Sequence, residues 1–254
     1  MQLLLALFLF CSLGYAEVVY PGLGSIAHIA DGGGIQVEFV LTNLDDTPST
    51  YILRCYDNNG NPLSLMTNAG IGSEFTGTLA PSASRRIRTA STAAKWTEGW
   101  ASIQTTGGTV GASAIFRFST GPWTGSEAEV PADTWLNNRF SLAFDHTSSV
   151  IGLAIVNPSY NDPIAVTVTF RGEDGGVIVT DTFNMGTLAH TAFVTTSSYP
   201  ATVGKRGTID ISTTGSYMSV LALRFGPSAI SSIPPLVSSK WAVPDNACMG
   251  CWDY

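Results

Sequence analysis

Hydrophobic and polar residues alternate in short segments along this chain. Residues 36–42 read Gln-Val-Glu-Phe-Val-Leu-Thr, where Val37, Phe39 and Leu41 are separated by residues of the opposite face. A period of two buries one face of a β-strand and exposes the other. Similar segments recur at spacings of roughly 8 to 12 residues, separated by turn-forming residues. The pattern predicts an all-β protein with antiparallel sheets.

The predicted strands fall into two groups with the same order. The first group covers residues 36–42, 51–56, 84–89, 99–105 and 112–118, and the second covers residues 150–156, 165–170, 191–195, 207–212 and 218–225. Residues 57–60 (Asp-Asn-Asn-Gly) and 173–176 (Glu-Asp-Gly-Gly) lie at matching places in the two groups. These residue types accept the positive φ of tight turns, so both segments predict β-hairpins.

Parts of the first group recur in the second. Residues 77–80 and 186–189 both read Gly-Thr-Leu-Ala, and residues 99–107 correspond to residues 207–215. A spacing of about 107 to 115 residues is the size of a domain and too long for a solenoid repeat. The sequence therefore predicts two tandem antiparallel immunoglobulin-like β-sandwich domains, with a jelly roll or an open barrel as the structural alternative.

The predicted boundaries divide the chain into five segments. Residues 1–16 contain an apolar run followed by small residues and are typical of a secretory signal peptide, with a buried first strand as the alternative. The remaining segments are a first sandwich at 17–120, an interdomain linker at 121–138, a second sandwich at 139–227 and an extended C-terminal tail at 228–254. A strand that crosses between the sandwiches is the alternative for the linker. Pro234, Pro235 and Pro244 lack the amide that a central strand needs and favour the extended tail.

Composition narrows the classes of partner. Charged residues make up 12% of the chain and the net charge is −7, so a basic surface for the phosphate backbone of nucleic acid is not expected. No apolar stretch reaches the roughly 20 residues that a membrane span requires. Together with the signal peptide, this predicts a secreted protein that is extracellular or held at the cell surface.

The cysteines of the exported chain are odd in number, so at least one is unpaired or pairs outside the chain. After removal of the signal, Cys55, Cys248 and Cys251 remain. We interpret Cys55 as a buried thiol. Cys248 and Cys251 have the spacing of a redox dithiol or of half a zinc site, but neither the strand–helix context nor further ligands accompany them. The favoured interpretation is a local disulfide that stiffens the tail.

Candidate chemistry in the sequence is sparse. His28 with Asp31, and Asp145 with His146, lie at corresponding ends of the two repeats, but the order is reversed and a metal site is the weaker interpretation. No motif for nucleophilic catalysis, phosphate binding or zinc proteolysis occurs. We therefore predict no catalytic residue, no metal, no cofactor and no enzyme activity.

Basic and aromatic residues suggest surfaces for partners. Residues 85–88 (Arg-Arg-Ile-Arg) form the basic cluster of the chain; in strand register Arg86 and Arg88 share one face while Ile87 points inward. Trp123 and Trp135 lie outside the predicted strands and are weak candidates for stacking on sugars. The alternative is that these indoles plug sandwich ends and domain junctions.

The order of turn and packing motifs also supports a resemblance. Residues 28–34 (His-Ile-Ala-Asp-Gly-Gly-Gly), the turn at 57–60, residues 77–81 and residues 127–132 resemble tandem β-sandwich repeats of secreted bacterial proteins, notably of acidobacterial type. The resemblance covers most of residues 20–235 and implies an extracellular module without an assigned activity.

These observations predict a non-enzymatic secreted structural or adhesive protein. Edge strands or tails are expected to pair with other copies, which makes a self-assembling extracellular fibre or surface-layer subunit the concrete version. The alternative is a carbohydrate-binding module of the cell surface or matrix, whose partners are surface glycans.

Overall fold

The computed structural model describes residues 23–133, 137–215 and 217–237. Within these ranges the chain forms β1 (Leu23–Asp31), β2 (Ile35–Asn43), β3 (Ser49–Tyr56), β4 (Leu65–Thr67), β5 (Gly70–Gly72), β6 (Glu74–Leu79), β7 (Ser84–Arg88), β8 (Thr97–Thr106), β9 (Val110–Phe118), β10 (Glu127–Pro131), β11 (Arg139–Asp145), β12 (Val150–Val156), β13 (Ile164–Gly172), β14 (Val177–Met185), β15 (His190–Val194), β16 (Arg206–Thr213), β17 (Ser219–Phe225), β18 (Ile230–Ile233) and β19 (Leu236–Val237). A single helical turn, α1 (Thr195–Ser198), and 3-10 turns at Gly121–Trp123 and Pro200–Thr202 complete the described elements. The prediction of an all-β protein is confirmed.

Several sequence predictions lie outside the described residues. These are the signal peptide at 1–16, Trp135, and the pair formed by Cys248 and Cys251. The helical segments in the described ranges are single turns, and none has the length and apolar character needed to cross a membrane.

The first half of the chain, residues 23–133, forms two antiparallel four-stranded sheets. Sheet 1 has the order β1-β8-β3-β6, and sheet 2 has the order β10-β9-β2-β7. Val37, Phe39 and Leu41 of β2 are fully buried, as the alternation of this segment predicts. A small hairpin of β4 and β5 lies outside these sheets.

The second half, residues 137–237, repeats the arrangement strand for strand. Sheet 3 has the order β14-β13-β16-β11, extended by β19, and sheet 4 has the order β15-β12-β17-β18. Gly99 and Gly207 occupy the same place: in each, an added Cβ would lie 1.9 Å from the carbonyl oxygen of the neighbouring strand, Tyr56 in one half and Arg171 in the other. The duplication seen in the sequence is therefore also one of structure.

The two Gly-Thr-Leu-Ala segments, however, are not structurally equivalent. Leu79 is buried at the end of β6, whereas Leu188 lies in the turn after β14. Ser82 and Leu188 have the same φ of 56° and hold the same turn position. The match between residues 77–80 and 186–189 is thus displaced by three residues relative to the fold, from Leu79 to Ser82, because strand pairing rather than residue identity sets the register.

Segments predicted to be linker and tail supply further strands. β10 lies within the predicted linker at 121–138 and pairs with β9, and β18 lies within the predicted tail and pairs with β17. Pro234 and Pro235 fall between β18 and β19, where no ladder needs their amides. Residues 230–237, within the predicted tail, carry the chain from sheet 4 to sheet 3.

The hydrophobic core is arranged in two clusters, one of which crosses between the halves. The second cluster fills the space between sheets 3 and 4. The first fills the space between sheets 1 and 2 and continues onto the outer face of sheet 4 through Ala154, Val156, Leu221 and Leu223. β1 packs against β12 and β17, and β10 packs against β18. Sheet 4 is therefore covered on both faces over much of its area.

The layered sheets are consistent with the β-sandwich class. β1 and β2 lie in opposite sheets. In the immunoglobulin constant-type order the first two strands share a sheet. The observed strand order therefore differs from that order at the first strand of each half.

Candidate functional site

The turn at residues 57–60 of the first half contacts the second half. The carboxylate of Asp57 accepts hydrogen bonds from the backbone N–H groups of Asn59 and Asn61, at 2.8 and 2.9 Å. The carbonyl of Asn58 accepts the N–H of His190 at 3.1 Å. Gly60 has φ of +83°, and an added Cβ would lie 2.7 Å from Cβ of Leu188. The predicted hairpin is closed by one bridge between Tyr56 and Pro62, and its turn also contacts the second half.

Two aromatic residues of the first half reinforce this contact. Trp100 is fully buried, and its indole N–H donates to the carbonyl of Leu188 at 2.8 Å. Tyr56 stacks on Trp100 with ring centroids 4.7 Å apart, and its hydroxyl lies 3.0 Å from that of Tyr160. These contacts bridge residues about a hundred positions apart in sequence.

Trp123, a candidate for sugar stacking, also lies between the halves. Its indole N–H donates to the carbonyl of Gly226 at 2.9 Å, and its ring centroid is 4.9 Å from that of Phe225. The side chain is half-buried. This placement matches the alternative interpretation, in which the indole plugs a junction.

His28 meets a different partner from those suggested by the sequence. Its Nδ1 lies 3.1 Å from Nε2 of His190, and the two rings are within 22° of coplanar with centroids 5.2 Å apart. This geometry fits rings lying side by side and joined by one N–H···N hydrogen bond. His146 lies elsewhere, in the second cluster, where its ring nitrogens contact the hydroxyls of Thr195 and Thr202. His28 and His146 therefore do not form a common site.

A chain of hydrogen bonds orients the histidine pair. The carboxylate of Glu98 accepts from the amide nitrogen of Asn58 at 2.9 Å, so the amide oxygen of Asn58 faces Nδ1 of His190, at 2.7 Å. Nδ1 of His190 is then a donor, its Nε2 is an acceptor, and Nδ1 of His28 donates to it. In this tautomer Nε2 of His28 carries a lone pair.

Burial keeps both imidazoles neutral. Desolvation lowers the pKa of His28 from 6.5 to about 4. Desolvation, with a smaller contribution from neighbouring His28, lowers the pKa of His190 to about 3. The hydrogen-bond chain requires both imidazoles to be neutral, because one proton lies between Nδ1 of His28 and Nε2 of His190.

A cavity of about 330 Å³ opens beside His28, at the junction. The outer face of sheet 4 forms its floor, and Trp96, which is 56% exposed, stands at its rim. Its described lining is mostly apolar: Gly152, Leu153, Ala154, Ala192, Phe193, Val194, Leu221, Leu223 and Phe225, together with His28, Trp96 and Glu98. We call this space the junction cavity.

The corresponding face of sheet 2 carries a charged cluster. Glu38 is fully buried and accepts hydrogen bonds from Arg86, from Arg88 at 2.6 Å and from Arg117 at 2.9 Å. Burial by itself raises the pKa of Glu38, but the three arginines outweigh it and lower the pKa to about 2. Ile87 is fully buried on the opposite face, so the predicted orientation of the basic segment is confirmed.

Strand register relates this cluster to the junction cavity. Glu38 pairs with Arg88 and Ile115, and Gly152 pairs with Val194 and Leu223. The equivalent positions are Glu38 and Gly152, Arg86 and Ala192, Arg88 and Val194, and Arg117 and Phe225. The second half thus has small and apolar residues where the first half has four charged ones, and the cavity occupies the space that the long charged side chains fill in the first half.

Two further predictions concern reactive and metal-binding groups. Cys55 is buried and unpaired, and burial raises its pKa to about 12, which makes it an inert thiol. Among the residues in the described ranges, no group of three or more His, Cys, Asp or Glu side chains is placed to hold a metal ion.

Sequence reasoning did not identify Asn58, Trp100 and His190 as junction residues. One signal was present in the sequence: residues 150–156 (Val-Ile-Gly-Leu-Ala-Ile-Val) are continuously apolar instead of alternating. Such runs are typical of strands covered on both faces. Comparison with known proteins adds no further guide, since no family model, curated protein or solved structure matches the chain.

Proposed function

We propose that this is an exported, non-enzymatic structural or adhesive protein, built from two immunoglobulin-like β-sandwich domains that associate with other copies through a strand edge. The repeated pair of sheets supports the division into two domains. The junction supports a close, lasting contact between them, because it combines a buried apolar face with directed hydrogen bonds.

The observation that carries the proposal is the edge formed by β14. This strand of nine residues pairs with β13 on one side, and no other described strand pairs with it. Its first residue, Val177, is 57% exposed, and Ile178 and Val179 are half-buried. A long edge strand with apolar residues offers unpaired backbone groups to a strand of another chain.

Asp181 limits the available part of this edge. One carboxylate oxygen accepts the backbone N–H of Thr182 at 2.8 Å, and the other accepts the hydroxyl of Tyr199 at 3.2 Å. A charge on an edge strand disfavours pairing with a neighbour. The stretch that we propose for association is therefore residues 177–180, ahead of this carboxylate.

The chemistry of the junction cavity supports binding or structure over catalysis. Its described lining contains two ionisable side chains, His28 and Glu98, and no hydroxyl or thiol nucleophile. Glu98 contacts the histidine pair through the amide of Asn58 and not directly. The base and nucleophile in mutual contact that covalent catalysis requires are not part of this described lining.

Size-exclusion chromatography with light scattering tests self-association. We expect residues 17–254 to form species larger than a monomer as concentration rises, and Val177→Lys to shift the distribution to monomer. Val203→Lys is the matched control, because Val203 is 60% exposed and lies outside the strands. A monomer at every concentration, or equal effects of the two substitutions, would contradict association through β14.

Export is tested separately by expressing the full chain in a bacterial host. Fractionation should place the protein outside the cytoplasm, and mass spectrometry should find Glu17 as the first residue. An intact chain that begins at Met1 and stays in the cytoplasm would overturn the extracellular part of the proposal.

A further inference from the structure

The junction cavity lies where small side chains of sheet 4 face the first half of the chain. Ala154 and Ala192 lie side by side on β12 and β15, and their small side chains leave the floor open. Gly152 lies next to them and is covered by the ring of Phe225, whose Cε2 would lie 2.8 Å from an added Cβ. At the equivalent places in the first half, Glu38 and Arg86 fill the same space above sheet 2. The two halves share a backbone arrangement, so two features create the cavity: the small side chains of sheet 4, and the wall that His28, Trp96 and Glu98 of the first half add.

The volume and lining define the class of molecule that fits. A cavity of about 330 Å³ is at the lower end of the range of small-ligand sites. Leu223 and Phe225 favour an apolar or aromatic body, and Trp96 at the rim offers a ring face. A sugar would bury many hydroxyl groups against these apolar side chains without partners, which is costly.

His28 supplies the polar group that would orient such a ligand. Its Nδ1 is engaged by His190, and the hydrogen-bond chain from Glu98 leaves Nε2 with a lone pair on the side of the ring away from His190. The imidazole is half-buried and lines the cavity. An acceptor in an apolar site selects ligands that carry a hydrogen-bond donor, since a ligand without one leaves the acceptor unpaired.

We propose that the junction cavity binds a small, uncharged aromatic molecule carrying one hydroxyl or N–H donor, with the ring between Trp96 and Phe225 and the donor on Nε2 of His28. This site is distinct from the β14 edge. It goes beyond the structural or adhesive role, and it stands or falls independently of self-association.

The test compares two probes of nearly the same shape. 4-Ethylphenol carries a hydroxyl donor, and 4-ethylanisole carries a methyl ether in its place. Binding to residues 17–254 is followed by protein-observed NMR titration up to millimolar concentration. We expect both probes to shift resonances of the cavity residues, and the phenol to bind about fivefold more tightly, as one hydrogen bond to a buried acceptor implies.

Two variants locate the site and the acceptor. His28→Phe keeps a flat ring but removes the acceptor, so it should abolish the preference for the phenol while retaining binding of both probes. Ala192→Leu should fill the cavity and prevent binding of both. If Ala192→Leu fails to fold, Val194→Trp fills the cavity from the rim, where the side chain is 40% exposed and a larger residue is tolerated.

Each remaining outcome counts against the proposal. Absence of binding, equal affinity for the two probes, a preference that survives His28→Phe, or binding unaffected by the filling variants would overturn it. Resonances of the cavity that shift with protein concentration alone would show that a second copy of the chain occupies the space instead.

Discussion

Replacing Glu38 with Gln removes the one negative charge that three arginines share. The substitution keeps the size and shape of the side chain. One oxygen of Glu38 accepts from Arg88 and Arg117 and the other accepts from Arg86, and Gln replaces one of these two acceptors with an NH2 group. The amide of Gln would turn an N–H group toward guanidinium donors, so at least one hydrogen bond becomes a contact between two donors.

The lowered pKa of Glu38 sets the size of the effect. A fall from 4.5 to about 2 corresponds to about 3 kcal/mol in favour of the charged carboxylate, at 1.36 kcal/mol for each pKa unit. Solvent screens part of this, because the side chains of Arg86 and Arg88 are 56% and 50% exposed. We therefore expect Glu38→Gln to lower the free energy of unfolding at neutral pH by about 2 kcal/mol.

The same shift predicts the dependence on acid. The folded-state pKa lies below the ordinary value, so this stabilisation is complete above pH 4.5 and is lost as the pH falls toward 2. Urea unfolding followed by circular dichroism at a series of pH values measures both effects. Glu38→Gln should lower stability at neutral pH and flatten the decline between pH 4.5 and 2.

Glu127→Gln is the matched control on the same face of sheet 2. Glu127 also accepts from Arg117, at 2.6 Å, but its side chain is 56% exposed. We expect the control to cost less than about 1 kcal/mol. Two results would refute the reasoning that burial makes the Glu38 carboxylate important for stability. One is an equal loss of unfolding free energy in the two variants, and the other is an unchanged decline of stability with acid in Glu38→Gln.

Three further predictions concern the junction. Because the folded-state pKa values of His28 and His190 are about 4 and about 3, below 6.5, stability should fall as pH drops from 6.5 to about 3, and a double replacement by Phe should reduce that slope in pH-dependent urea unfolding. Trp100→Phe leaves a buried carbonyl without its donor and should lower the free energy of unfolding by about 2 kcal/mol; an unchanged thermal midpoint would contradict this. Gly60→Ala should destabilise the protein more than Gly125→Ala in calorimetry, since both glycines have φ of +83° but only the first has the second half within contact distance of its Cβ.

Much of the fold followed from local patterns in the sequence. The alternation of Val37, Phe39 and Leu41 specified which face of β2 is buried, and residues 173–176 specified the turn between β13 and β14. The repeat of residues 99–107 at 207–215 indicated a duplicated arrangement, which the strand orders show. These features depend on near neighbours and on the period of two, so one sequence suffices to read them.

The register of distant segments did not follow from residue identity. The Gly-Thr-Leu-Ala match aligned Leu188 with Leu79, yet in the structure Leu188 holds the turn position equivalent to that of Ser82. The predicted linker and tail likewise proved to supply β10, β18 and β19, because an extended segment rich in Pro and Gly is indistinguishable from an edge strand until its partner is known.

By itself the sequence determined the all-β class, the faces of its strands and its internal duplication, since backbone period and turn chemistry are local. Only the tertiary structure decided which surfaces cover sheet 4, that His28 meets His190 and that a cavity opens beside Ala154 and Ala192. Those features join residues from opposite halves of the chain. Their proximity depends on which surfaces bury the most apolar area together, and no local pattern in the chain encodes that choice.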